Sequence, residues 1–298
     1  MITEPGFYDI SAAEYHADPC HPMSLSSTGA RTLIRDCPAQ FMWDRDNPPE
    51  KREFDIGNAA HLLVLQPDRY EAAIFRVDAG DYRTKDARAQ RDGARENGRI
   101  PLTRAEAEMV DAMRNAIFTH PVAGKAFANG HTEQSIFWRD SEFGIWCRTR
   151  PDFLPAHRRY LVDLKTATSA DPEDFTRAVL TYGYHQQAAW YMDGVEAVTG
   201  TRPERFAFVV VSKKPPYFVT VCWLDDEMIG WGQVLNRRAK GLFAWCLHYR
   251  TWPAYRPEIT GPPAAFTISM PDWARRRLEE QDEAGAFEPP LIEKEERV

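Results

Sequence analysis

The spacing of apolar positions divides the chain into a largely helical first part and a second part in which strands and helices alternate. Residues 1–53 are loop-rich by pattern, with one short helix whose N-cap is Ser26 or Ser27 and whose apolar positions are Ala30, Leu33 and Ile34; Pro38 ends or bends it. Asn47-Pro48-Pro49 predicts a turn, and Phe54–Leu65 predicts a helix stopped by Pro67, with Gly57, Ala59 and Ala60 small enough to admit a neighbouring backbone. Residues 78–98 are polar and Arg-rich without apolar periodicity, which predicts an exposed or mobile stretch. Thr103 followed by Glu106 is a capping-box pattern opening a helix through Ile117, with Ala107, Val110, Met113 and Ala116 facing inward.

The period then changes. Thr132–Arg139 and Ile145–Phe153 predict two strands of a hairpin around Ser141-Glu142-Phe143-Gly144, and Tyr160–Thr166 predicts a third strand. Asp171-Pro172 opens a long helix toward Val198, with Gly183 as the place for a bend. Phe206–Val211 and Phe218–Leu224 form a second hairpin around Pro215-Pro216, and Asp225 caps a helix to about His248. This order predicts an α/β fold, a mixed central sheet flanked by helices with a helical N-terminal region. One domain over residues 1–270 is expected, helical to about 130 and with its α/β core over about 131–255; residues 271–298 form an acidic helix and tail, disordered after about Ala284.

Composition narrows the class. The chain has 298 residues and no apolar run long enough to span a bilayer, and Met1–Asp9 lacks the features of a signal peptide. Its five cysteines are odd in number, widely spaced and without a CxxC pair, which predicts free thiols in a reducing cytoplasm. The net charge of −7 is uneven: residues 278–298 hold eight acids against Lys294 and Arg297, a charge of −6, so the remaining body carries −1. Arg83, Lys85, Arg88, Arg91, Arg95 and Arg99 crowd one stretch of that body. Such a body is compatible with a polyanionic partner and does not require one.

Candidate chemistry lies between Arg148 and Thr166. Asp163 and Lys165, two apart on one strand, share a face, and Asp152 on the preceding strand comes close to them across a short turn. The flanks Tyr160-Leu161-Val162 and Leu164 are apolar, so the strand is interior, where a charged group needs a partner or a metal. Two carboxylates are the ligands that Mg²⁺ takes, and such a site keeps open positions for water and a phosphate. Lys165 would position the attacking water or offset transition-state charge. Repulsion between the two acids predicts that removing either leaves the metal-free protein as stable or more so. Without those apolar flanks, Asp-x-Lys would describe a solvated face or a surface ion pair.

Pro151-Asp152 followed by Asp163-Leu-Lys165 resembles the signature of the PD-(D/E)XK nuclease superfamily. More narrowly, Cys147-Arg-Thr-Arg-Pro-Asp152, Val162-Asp-Leu-Lys-Thr166 and Tyr184-His-Gln-Gln-Ala-Ala-Trp-Tyr191-Met-Asp-Gly194 resemble the RecE-type exonuclease, exodeoxyribonuclease VIII of prophages, in the RecB-like branch. The likeness extends from about Tyr15 to about Tyr255. It implies that Asp152, Asp163 and the Leu164 carbonyl bind Mg²⁺, for which Mn²⁺ substitutes, and that Lys165 assists the attacking water. It makes His61 a metal ligand or phosphate contact, where an isolated His on an apolar helix would be a packed residue. Gln187 and Tyr191 match a Gln-x-x-x-Tyr motif that orients Lys165 or touches DNA, with helix packing as the ordinary alternative. Glu133 matches an acid that some relatives place on the first strand; an exposed strand glutamate explains it equally well.

The resemblance implies an ATP-independent exonuclease on double-stranded DNA ends, running 5′ to 3′. It would leave 3′ single strands for an annealing protein, and would act as a homo-oligomeric ring. A structure-specific or single-strand endonuclease and a non-catalytic DNA-binding module are the alternatives. There is no GxxxxGK[ST] motif for ATP hydrolysis, and Cys222 and Cys246 are too few to complete an iron–sulfur cluster.

Overall fold

The computed structural model describes residues 1–47, 55–256, 258 and 261–288. Met1–Ala254 form one compact unit and Tyr255–Val298 a second. In chain order the first unit contains β1 (Gly6–Tyr8), α1 (Ala12–His16), β2 (Leu25–Ser26), α2 (Ser27–Arg35), α3 (Pro38–Asp46), α4 (Asp55–Leu65), α5 (Pro67–Ala73) and β3 (Ile74–Arg76). There follow α6 (Lys85–Glu96), β4 (Ile100–Leu102), α7 (Arg104–Thr119), α8 (Ala123–Ala126), β5 (Gly130–Thr132), β6 (Ser135–Arg139), β7 (Trp146–Thr149) and β8 (Phe153–Pro155). The unit is completed by β9 (Tyr160–Ala167), α9 (Pro172–Tyr182), α10 (Tyr184–Thr199), β10 (Arg205–Ser212), β11 (Val219–Trp223) and α11 (Asp226–Tyr249). The second unit holds α12 (Asp272–Glu283), a helix with no buried residue.

The strands form a five-stranded sheet in the order β11-β10-β9-β8-β5, a four-stranded sheet in the order β1-β6-β7-β2, and the pair β3-β4. β9 and β10 run parallel from Arg205↔Tyr160 to Ser212↔Ala167 and are joined by α9 and α10. That crossover covers a face of the sheet, which is why β10 reads as an unbroken apolar run. Successive side chains of β9 and β10 go to opposite cores. Leu161, Phe206, Phe208 and Val210 pack with Ala188, Ala189 and Trp190 of α10, whereas Val162, Leu164, Val209 and Val211 pack with Ala60 of α4 and Val110 of α7. The mixed sheet flanked by helices is as the pattern predicts.

Four expectations are corrected. The N-terminal segment is not loop-rich: a capping box at Ser11–Glu14 opens α1, and Pro38 begins α3 at its first turn, where a missing N–H costs nothing. Pro67 likewise stops α4 and starts α5. The polar stretch 78–98 contains α6, capped by Thr84 and presenting only Ala87 and Ala94 to the interior, too narrow a stripe for periodicity to register. Two of the cations in and just after it are engaged within the molecule, Arg95 on Asp55 at 2.6 Å and Arg99 on the Ile74 carbonyl, while Arg91 pairs at the surface with its neighbour Asp92. Of the predicted turn, Pro48 and Pro49 lie outside the described residues, as does the tail beyond Glu288. The five cysteines are free thiols, and among the described residues no helix is long and apolar enough to cross a membrane.

The fourth correction bears on the site. The predicted strand Thr132–Arg139 is broken at Glu133, whose φ of 51° is left-handed, so that β5 joins the five-stranded sheet and β6 the other. A non-glycine residue there costs on the order of 1–3 kcal/mol. The partner strand Ile145–Phe153 is broken at the same level, since Pro151 has no N–H for a ladder; β7 stays with β6, and β8 joins β9. One hairpin therefore changes sheets at Glu133 and at Asp152, two strands bending together at a corner.

Candidate active site

Asp152 lies at that corner, in the bend before β8, rather than on a strand. β8 pairs with β9 only at Phe153↔Val162, so beyond Val162 that edge of β9 has no strand beside it. The Leu164 peptide faces the gap. Its N–H donates to Asp152 Oδ2 at 2.7 Å, and the His61 ring of α4 lies against its carbonyl, with His61 Nδ1 3.4 Å from Asp152 Oδ2. α4 can come this close because Gly57 faces Thr166, where a Cβ would sit 3.2 Å from the Thr166 hydroxyl oxygen.

Asp163 points the other way, toward α10, and is 1% exposed. Gln187 Nε2 donates to Asp163 Oδ2 at 2.7 Å and to the Tyr191 hydroxyl at 3.0 Å, while Gln187 Oε1 lies 3.4 Å from Lys165 Nζ. Lys165 forms an ion pair with Asp163 Oδ1, and its ammonium sits 4.6 Å from the centre of the Tyr184 ring. Gly183 makes this possible. Its φ of 67° ends α9 and restarts the chain as α10, swinging Tyr184, Gln187 and Tyr191 across β9.

Charge is the scarce resource in this pocket. Burial, then the Glu133 charge, pushes Asp152 up to about 7; burial, then Asp152, pushes Asp163 up to about 6. Burial opposes the charge on Lys165, but Asp163 and Asp152 outweigh it, and its pKa stands above the ordinary lysine value. Burial and then Lys165 drive His61 down to about 4, so its imidazole is neutral near pH 7. The free site is thus an ammonium facing two reluctant carboxylates, with a neutral imidazole at its rim.

Residues 26–259 match the family model described as PDDEXK-like domain of unknown function (DUF3799). The chain belongs to that family. In fold the PDDEXK-like chain is similar to the crystal structure of a presumed exonuclease from Eubacterium rectale, at a TM-score of 0.59 and 13% identity over 88% of this chain and 97% of that one. It also aligns with a phage-related exonuclease from Haemophilus somnus 129PT, at 11% identity over 77% of this chain and 97% of that one. The TM-score there is 0.32, too low to speak to the fold. No curated protein matches the sequence.

PDDEXK-like nucleases generally depend on a divalent metal. Among the described residues no three His, Cys, Asp or Glu side chains are gathered as a ready-made cage. The oxygens at hand suit a hard cation: Asp152 and the Leu164 carbonyl at the edge of β9, and Asp163 on the α10 face of that strand, near enough for the Asp152 charge to act on it. Asp163 Oδ1 is held by the Lys165 ammonium and Oδ2 by Gln187, so an ion would have to take Oδ1 from Lys165. The set fits in chemistry, provided that Lys165 yields Asp163 Oδ1.

All of the expected residues except Glu133 bear directly on this pocket. Glu133 is bound to Arg150, at 2.9 Å from its Nε. Arg150 and Tyr184 are the participants that sequence reasoning missed. Both stand inside the motifs that carry the resemblance, which gave them no role; the Tyr184 ring reaches Lys165 through the turn at Gly183.

Proposed function

We propose that this PDDEXK-like chain is a divalent-metal-dependent, ATP-independent exonuclease acting on double-stranded DNA ends, degrading from the 5′ end and leaving 3′ single strands for an annealing protein in phage-type recombination. The observation that carries the nuclease reading is Asp152 at the vacated edge of β9 beside the Asp163–Lys165 pair of that strand, near enough for their charges to act on one another. Magnesium is the proposed ion. When bound, it supplies polarisation of the phosphodiester and a water of lowered pKa.

Asp152, Asp163 and the Leu164 carbonyl would hold the ion. Gln187 fixes the plane of the Asp163 carboxylate through its bond to Oδ2 and is itself fixed by Tyr191. Lys165, protonated at neutral pH and held between Asp163 and the Tyr184 ring, donates toward the attacking water or the phosphate oxygens, where negative charge accumulates in the transition state. His61 supplies a neutral nitrogen at the rim for the ion or for a phosphate.

Enclosure of the duplex by several copies remains part of the proposal. With Arg95 and Arg99 engaged internally, one copy has fewer cations for phosphates than the sequence promises, and phosphate contacts dominate DNA affinity. Linear duplex labelled at 5′ or at 3′ ends, beside a covalently closed circle, tests the reading in Mg²⁺. Early release of 5′ label and an intact circle are expected. Cutting of the circle would favour an endonuclease, and no cutting of any DNA a non-catalytic module.

A further inference from the structure

Glu133 is near enough to the pocket for its charge to act on Asp152, which makes a third metal-binding carboxylate the obvious role for it. The geometry points elsewhere. Its Oε2 is taken by Arg150 Nε at 2.9 Å, and no group of three acids or histidines among the described residues has metal-binding geometry. Its backbone N–H, aimed by the left-handed φ of 51°, donates instead to the Asp152 carbonyl at 3.1 Å.

Arg150 is held as firmly. Its side chain is 9% exposed, and its Nη1 donates to the buried Ser135 hydroxyl at 2.7 Å and to the Ile10 carbonyl at 2.9 Å. The contacts close a loop around the corner where the hairpin changes sheets. Arg150 lies two residues before Asp152, Glu133 pairs with Arg150 by its side chain and with Asp152 by its backbone, and Ser135 ties Arg150 to the start of β6. Asp152 has no strand ladder of its own to hold it, so this corner sets where its carboxylate stands.

We infer that Glu133 is a positioning residue for Asp152, acting through Arg150, and not a ligand of the cation. The inference rests on the nuclease reading for its kinetic readout but not for its binding readout. A carboxylate ligand loses most of its hold on a divalent cation when its charge is removed, whereas a positioning residue needs only an acceptor for Arg150. Glu133→Gln keeps the acceptor, whereas Glu133→Gly loses it while suiting the left-handed backbone, so that variant is not handicapped by strain.

The test is calorimetric titration of Mn²⁺ into the full chain, with kcat and KM on linear duplex, for wild type, Glu133→Gln, Glu133→Gly and Asp163→Asn. Glu133→Gln is expected to bind as many ions as wild type and to keep kcat within about threefold. Glu133→Gly is expected to bind the same number of ions with kcat lowered about tenfold to a hundredfold and KM little changed, the scale seen when a group supporting a metal ligand is lost. Loss of an ion in Glu133→Gln, as in Asp163→Asn, or a fall in its kcat beyond tenfold, overturns the inference. So does full activity in Glu133→Gly. Should wild type cut no DNA, the nuclease reading fails, while the ion count of Glu133→Gln still decides whether Glu133 is a ligand.

Discussion

Gln187, near the start of α10, donates to the innermost carboxylate of the pocket, Asp163, at 2.7 Å, and that bond joins the crossover helix to β9. Asp163 is buried, so the bond is made without competition from water. Gln187→Ala is expected to lower the rate of DNA cleavage about tenfold to a hundredfold by letting the carboxylate turn. It should also lower stability by about 1–3 kcal/mol, the cost of an acceptor left short of a donor. Chemical denaturation and single-turnover cleavage measure the two. An unchanged rate would remove Gln187 from the machinery.

The two aspartates should differ in a way that simple repulsion between them does not predict. Both Asp152→Ala and Asp163→Ala are expected to abolish cleavage. Asp163→Ala also strips Lys165 of its ion-pair partner inside the protein, and an unpaired buried charge costs about 3–5 kcal/mol. Asp152 pairs with no lysine or arginine in the described structure; its carboxylate faces a backbone N–H and a neutral imidazole. Urea unfolding without metal should therefore find Asp163→Ala the less stable of the two. The reverse order would show that Lys165 is not held by Asp163.

Stability without metal should fall as pH rises. Asp152 and Asp163 have folded pKa values of about 7 and about 6, above the ordinary 3.8, so between pH 4 and pH 7 the unfolded chain has released protons that the folded chain retains. Unfolding is favoured progressively across that window, and the stability that these groups contribute at pH 4 is lost by about pH 7. His61 offsets part of this loss, because its depressed pKa of about 4 makes its contribution rise with pH up to about 6.5. Thermal unfolding in chelator at pH 5 and pH 8 checks the sign. Mg²⁺ should raise Tm more at pH 8, where the carboxylates are already ionised, than at pH 5.

Ion identity should separate binding from turnover. Mg²⁺ and Mn²⁺ are expected to support cleavage, and Ca²⁺ to bind without supporting it, because Ca²⁺ takes more ligands at longer distances and activates water less. Lys165→Ala is expected to retain ion binding and to cut about 10²–10³ times more slowly. Cleavage undiminished in excess chelator would exclude the metal-dependent reading.

A single copy of the chain should dissociate from DNA between cuts, whereas a closed ring should not. Sedimentation at micromolar protein, with digestion of a long linear duplex beside its nicked and closed circular forms, is expected to show an oligomer that degrades linear DNA processively. A monomer that degrades closed circles as fast as linear DNA would end the ring proposal.

Local chemistry was enough to place much of this molecule from its sequence. The Thr103–Glu106 capping box, the Asp171 and Asp225 caps, the bend at Gly183 and the strands around Leu161–Leu164 all depend on neighbours within a few residues. The period of two along β9 likewise put Asp163 and Lys165 on one face. Three features lay beyond local reasoning. α6 shows the interior only two alanines, so its stripe was invisible, and the cations along it were matched by Asp55 and Ile74, which are distant in sequence. The break of one hairpin into two sheets left little trace in the apolar pattern, because β6 and β8 are buried on both faces and show no alternation that could mark a change of sheet. The placement of Asp152 against Leu164, and of Glu133 against Arg150, follows from that break. Side chains brought together by a change of sheet are set by where the strands find partners, and that is decided only when the whole fold closes around them.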